Sequence, residues 1–212
     1  VIEILDCEQG SELWFQCRAG IPTASEFSTV MARGKDGGAS ITRLKYMRQL
    51  AGEILTGEPA PEGYSNAYMA RGHELEDEAR SLYAFMRDAE PQRVGFIRNG
   101  QKGASPDSLI GDTSGLEIKV AIPAVQIERL QAGKLPTEHV AQVQGCMWVS
   151  ERDSWDFVSY CPKLPPLILT IRRDEAYIAT LAKAVDAFNE ELDALVNSIR
   201  TYSDFSAQAR AA

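Results

Sequence analysis

The chain has 212 residues, 44% hydrophobic and 25% charged. That is enough to bury one sizeable core at an ordinary charge density, and no run of about 18 apolar residues suggests a transmembrane helix. The net charge of −8, taken alone, argues against a nucleic-acid partner, because such a face needs Lys and Arg to displace counterions. Two things weaken that argument: a basic groove can sit on an acidic molecule, and metal-holding carboxylates enter the same tally.

The acidic start "VIEILDCEQG" lacks a basic-then-apolar signal pattern. Cys7, Cys17, Cys146 and Cys161 show no CxxC spacing and read as reduced thiols of a cytoplasmic protein. No repeat or linker divides the chain, so a single domain over 1–212 is expected.

"LWFQCRAGIPTASEF" (Leu13 to Phe27) contains a capping box, with Thr23 as N-cap and Glu26 at N3 of a helix reaching Arg33. Free N–H groups and a positive dipole at that helix start would attract an anion. Arg18 lies upstream and the Ser25 hydroxyl in the first turn, so the three features could seat a phosphate. Trp14 and Phe15 could stack on a base or simply belong to the core. "GKDGGAS" (Gly34 to Ser40) reads as flexible. A helix follows from Ile41 to Leu55, and "TGEPAPEG" ends it.

A long helix is expected from Ser65 to Asp88. Met69, Gly72, Glu76, Ala79, Tyr83 and Met86 form one stripe of it, in which Glu76 is the charge. A buried carboxylate without a partner is costly. Glu76 therefore either reaches an arginine or faces a metal and its waters. His73 reads as a surface or packing residue, while Glu74, Asp77 and Glu78 lie off the stripe.

"VGFIRN" reads as a strand, and "SPDSLIGDTSGLEIKV" (Ser105 to Val120) as a strand, a turn and a strand. Alternation puts Glu117 and Lys119 on one face and Ile118 on the other. A turn centred near Asp112 sets Asp107 opposite Glu117. Two carboxylates and a lysine then converge, and hard divalent cations want such oxygen ligands. A surface salt bridge is the plainer alternative, but the apolar neighbours Leu109, Ile110, Leu116, Ile118 and Val120 favour a site.

A helix from Thr137 to Ser150, capped by Thr137, carries Gln142, Gly145 and Val149 on one face. Gln142 there either orders a water or phosphate or is an exposed helix residue. "SWDFVSY" and "LILTIRR" read as strands. The last helix, Asp174 to Arg200, places Ile178, Leu181, Val185, Phe188, Leu192, Leu195 and Ile199 on one face. Helices flanking a central mixed sheet make an α/β or α+β domain.

The ordered set "WFQCRAGIPTASEF", "ARGHELEDEAR", "SPDSLIGDTSGLEIKV" and "AQVQGCMWV" resembles the phage lambda exonuclease family. These are viral recombination nucleases with a PD-(D/E)xK, restriction-endonuclease-like core, close to the YqaJ-type group. The resemblance implies a Mg²⁺-dependent exonuclease that degrades the 5′-ended strand of linear double-stranded DNA to mononucleotides. The 3′ overhang left behind would pass to a single-strand annealing recombinase in a phage- or prophage-bearing cell.

By the same resemblance Asp107 and Glu117 are metal-binding carboxylates, joined by the Ile118 carbonyl, and Lys119 is the catalytic lysine. Glu76 is the helical acid, acting directly or through water, and Gln142 the helical glutamine. Arg18 and Ser25 match the 5′-phosphate contacts, and Trp14 the aromatic near the base. Two Mg²⁺ ions, replaceable by Mn²⁺, fit hydrolysis at a phosphodiester.

A PD-(D/E)xK endonuclease and a non-catalytic DNA-binding scaffold are the alternatives. The resemblance also implies a trimeric ring that encloses duplex, with Arg33, Lys35, Arg43 and Lys45 as expected channel residues.

Overall fold

The structure, a computed structural model, describes residues 1–35, 37–60 and 67–202, the side chains of 67–74 excepted. The expected helix start at Ser65 and the readings of Met69, Gly72, His73 and Glu74 lie outside the described residues.

β1 (Ile2–Leu5) leads into α1 (Glu12–Arg18). A 3₁₀ turn (Ala24–Glu26) and the short α2 (Phe27–Met31) precede α3 (Ile41–Thr56) and α4 (Ala67–Arg87). Then come β2 (Phe96–Asn99), β3 (Gly103–Ala104), β4 (Ser108–Ile110), β5 (Ser114–Val120), α5 (Pro123–Ala132) and α6 (Thr137–Ser150). β6 (Ser154–Tyr160), β7 (Leu167–Arg172) and α7 (Glu175–Arg200) complete the order.

The expected mixed sheet is β4-β5-β6-β7. Only β5 and β6 run parallel, and a parallel pair needs a long crossover, which α5 and α6 provide. A second sheet, β1-β2-β3, is antiparallel. Its strands β1 and β3 are too short to show an alternating pattern in the sequence. Pairing of Gln92 with Leu109, and of Thr23 with Gly103, ties the two sheets and the 3₁₀ region together.

α6 is buried over most of its surface, at Ala141, Val143, Gln144, Gly145, Cys146, Met147 and Val149. Such a helix belongs in the interior. It packs on the 3₁₀ turn, α2, α7 and both sheets. A Cβ at Gly145 would stand 2.4 Å from Phe27 Cδ2, so only glycine lets α2 approach this closely. α7 buries Ile178, Leu181, Val185, Phe188 and Leu192 as expected, then Val196, while Ile199 is exposed. A period of 3.6 drifts off a strict seven-residue repeat within a few turns.

The single helix expected from Thr23 to Arg33 is instead the 3₁₀ turn plus the five residues of α2. β-branched Thr29 and Val30 disfavour continuation, and Ala32 is already extended. "GKDGGAS" is closed rather than loose at its ends: Arg33 pairs with Ala39 and Gly34 N donates to Gly38 O. Thr137 is not the cap of α6, since Pro136 holds that position. Met86 leaves the buried stripe of α4 and is exposed, whereas Arg80 joins it at 9% exposure.

α1 and α5 were not expected. Both carry readable signals: Ser11 caps α1 by accepting from Trp14 N, and α5 has Pro123 just inside its start and left-handed Gly133 just past its end.

Candidate active site

β5 brings Glu117 and Lys119 to one face, and their side chains pair at 2.6 Å. The β4–β5 register, Ser108 opposite Leu116, continues to Asp107 opposite Glu117, as the sequence suggested. Asp107 lies just before β4, and its Oδ2 accepts from the Ile118 amide. In an extended strand the N–H and C=O of one residue point to the same side. The Ile118 carbonyl therefore faces the edge where Asp107 sits. Gln142 of α6 donates to Glu117 Oε1 at 2.6 Å, so it meets the carboxylates rather than standing as an exposed helix glutamine.

Glu76 joins the group from α4. Of its two expected alternatives the arginine is present, Arg80 at 2.6 Å, and the Glu76 charge also bears on Asp107 and Glu117.

The electrostatics follow from burial. Glu117 is 1% exposed. Burial pushes its carboxyl above the ordinary range, with Glu76 adding to the rise and Lys119 and Gln142 opposing it. Asp107 is pushed well up by burial, then by Glu117 and Glu76. Burial pulls Lys119 down, but Glu117 and Asp107 outweigh it and hold the ammonium above its ordinary value.

Among the described residues no three His, Cys, Asp or Glu side chains form a ready-made metal cage. Mg²⁺ does not require one, because it keeps several waters and takes one or two carboxylates. Among the described residues Glu117 Oε2 is buried without a hydrogen-bond partner, beside a second carboxylate that repels it. That donor set fits a divalent ion. A cleft of about 450 Å³ opens onto it, lined by Glu76, Asp77, Arg80, Arg93 and Asp107 among others.

The residues of the expected anion seat also lie together, but not around a helix dipole. Thr23 makes no side-chain cap bond, so the capping box does not form. Instead Arg18 Nη2 donates to Thr23 Oγ1 over 3.5 Å, and Thr23 Oγ1 lies 3.2 Å from Ser25 Oγ. Arg18 stacks on Trp14, 4.0 Å from its ring centroid, and Trp14 Nε1 donates to Ser105 Oγ. Trp14 is thus neither plain core nor wholly free to stack on a base. Burial pulls the Arg18 guanidinium below its ordinary value, against the nearby Tyr46, Glu26 and Glu53. The long bond to Thr23 is its only hydrogen bond among the described residues, leaving most of its five donors for a ligand.

Several contributors escaped the sequence reading. Arg80 ties α4 to β4 through Ser108 Oγ and the Asp107 carbonyl; its place four residues after Glu76 was the available signal. Arg129 of α5 donates to Ser159 Oγ and contacts His139 Nε2 at 3.1 Å. Of the expected channel residues, Arg33, Lys35 and Lys45 are exposed. Arg43 is not available: it is 8% exposed and grips Glu191 at 2.7 and 2.9 Å.

The YqaJ-like viral recombinase domain matches residues 13–153, well over half of the chain. The chain belongs to that family. This YqaJ-like protein superposes on LHK-Exo, an alkaline exonuclease from Laribacter hongkongensis, with a TM-score of 0.82 and 35% identity, over 92% of this chain and 98% of that one. LHK-Exo in complex with dAMP matches with the same TM-score and 36% identity over the same shares. A phage-related exonuclease from Haemophilus somnus 129PT shares the fold, with a TM-score of 0.62 and 20% identity over 84% and 96% of the two chains. The ExoD protein of Escherichia coli K12 is 36% identical over 62 residues, 28% of this chain and 71% of ExoD. The α+β fold of the YqaJ-like chain is that of the PD-(D/E)xK nucleases, as its motif order implied.

Proposed function

We propose that this protein is a divalent-metal-dependent exonuclease, active with Mg²⁺, on linear duplex DNA. It degrades the 5′-ended strand to 5′-mononucleotides and leaves a 3′ overhang for a strand-annealing recombinase. The observation that carries this reading is one acidic cluster, with Glu117 Oε2 lacking a hydrogen-bond partner among the described residues, in a chain whose relative LHK-Exo is an exonuclease.

Divalent ions, when bound, would supply Lewis acidity for phosphodiester hydrolysis, and Asp107 and Glu117, with the Ile118 carbonyl, would hold them. Gln142 fixes the Glu117 carboxylate by engaging Oε1. Lys119, kept protonated by Glu117, orients the attacking water and offsets charge on the phosphate oxygens in the transition state. Glu76, held by Arg80, adds an acceptor at the rim. Arg18, Thr23 and Ser25 take the 5′-phosphate, and Trp14 packs beside the end.

A ring of three subunits would reconcile DNA retention with the −8 charge: enclosure replaces affinity, and Arg33, Lys35 and Lys45 need only face the channel. Among the described residues no helix is long and apolar enough to cross a membrane.

The test is digestion with Mg²⁺ of linear duplex carrying 5′-phosphate or 5′-hydroxyl ends, beside covalently closed circles. Cleavage of the closed circles would replace this reading with an endonuclease, and no hydrolysis of any substrate would leave a DNA-binding scaffold.

A further inference from the structure

α3 carries none of the catalytic or end-binding residues expected from the sequence, yet it underlies the seat. Gly20 adopts a left-handed φ of 76°, and a Cβ there would stand 2.6 Å from Ile54 Cγ1, so the loop after Arg18 lies flat on this helix. Glu53 Oε2 accepts from Gly20 N at 2.7 Å, while Oε1 accepts from Gln49 Nε2 at 3.0 Å and Ala60 N at 3.3 Å. Glu53 is 8% exposed and makes no ion pair among the described residues. A carboxylate so buried persists because N–H donors satisfy it. Its charge also bears on Arg18 without engaging the guanidinium.

Three residues beyond Gly20, Thr23 N donates to Tyr46 Oη at 3.2 Å. The Tyr46 ring stacks on Phe188 of α7 at 5.8 Å, which fixes the hydroxyl. The far edge of the loop is tied as well: Gly103 N donates to Pro22 O at 3.0 Å, and Gly103 is the start of the segment that runs through Ser105 to Asp107. The stretch Arg18–Thr23 is therefore strung between a rigid helix and the strand that leads into the acidic cluster.

We infer that Tyr46 and Glu53 are positioning residues that fix where a 5′-phosphate lands relative to Asp107 and Glu117. The inference rests on the end-binding seat proposed above. It assigns to α3 the choice of which phosphodiester meets the acidic cluster, since sites braced by packed elements hold their geometry and small misplacements cost rate.

The experiment compares kcat/KM on 5′-phosphate and 5′-hydroxyl linear duplexes, with Mg²⁺ present, for the intact protein and for Tyr46→Phe, Glu53→Gln and Glu53→Ala. The phosphate preference is expected to fall about tenfold in Tyr46→Phe and Glu53→Ala. Glu53→Gln, which keeps one acceptor for Gly20 N, is expected to retain more of it. Calorimetric titration with the same two duplexes, without divalent ions, reads the preference independently of turnover. Equal losses on both ends, with a lowered melting temperature, would make the two residues braces of the fold and overturn the inference. A preference surviving intact in all three variants would also overturn it while leaving the seat in place. An unmodified protein indifferent to the phosphate would remove the seat itself.

Discussion

The acidic cluster and the proposed end seat are built in opposite ways. Asp107, Glu117 and Lys119 come from one hairpin, and strand register alone sets them face to face. Arg18, Thr23, Ser25, Trp14 and Ser105 come from a helix, a 3₁₀ turn and the segments between them, held by bracing contacts to α3 and β3. Burial acts on both but with opposite sign, raising the carboxyls and lowering the guanidinium. Among the described residues Glu117 keeps one oxygen without a hydrogen bond, and Arg18 keeps most of its donors. The cluster therefore depends on which atoms are present, whereas the seat depends on where they are held.

The sharpest break of that contrast is Asp107→Ala or Glu117→Ala. Both should abolish Mg²⁺-dependent hydrolysis, measured by release of acid-soluble nucleotides. Because burial and mutual repulsion make the charged Asp107 unfavourable, the melting temperature of Asp107→Ala without divalent ions should equal or exceed that of the unaltered chain. A marked fall would mean that the carboxylate holds the fold.

His139, beside the cluster, is held down to about 4 by burial and by the charges of Lys119 and Arg129. A depressed folded value means that the unfolded chain binds the extra proton between roughly pH 6.5 and 4. Stability from this ring is thus present above that window and lost as pH falls through it. Relative to His139→Asn, the unaltered protein should lose stability as pH falls across it, read from denaturant unfolding at each pH. Asp107 and Glu117 slope the other way, so the comparison must be with the variant rather than with a flat baseline.

At the seat, Arg18→Ala should slow digestion of 5′-phosphorylated duplex roughly ten- to hundredfold more than that of 5′-hydroxyl duplex, the worth of a charge-assisted contact of about 1.5–3 kcal/mol. Equal slowing on both would make Arg18 a structural partner of Trp14. The smallest expected effect joins the two regions. Gly145→Ala would drive a Cβ against Phe27, on the helix that carries Gln142, and should cost roughly 1–3 kcal/mol of unfolding free energy. An unchanged unfolding midpoint would show that α2 and α6 yield without cost.

Local patterns determined much of this molecule by themselves. The hairpin was readable because alternation of side chains and a turn-rich "GDTSG" act within a few residues. α6 appeared with its observed ends, and most of the α7 face followed from helical period. The family resemblance pointed to Gln142 and Arg18, and the tertiary structure decided what they touch. It replaced the capping box with an arginine and two hydroxyls, because Thr23 Oγ1 meets Arg18 and Ser25 instead of capping the 3₁₀ turn. Arg43 was withdrawn from the surface, since Glu191 lies 148 residues away in sequence but 2.7 Å away in space. The same long-range closure set Tyr46 and Glu53 beneath the seat. No periodicity records such contacts, because they depend on how separate elements pack and not on the order of residues within any one of them.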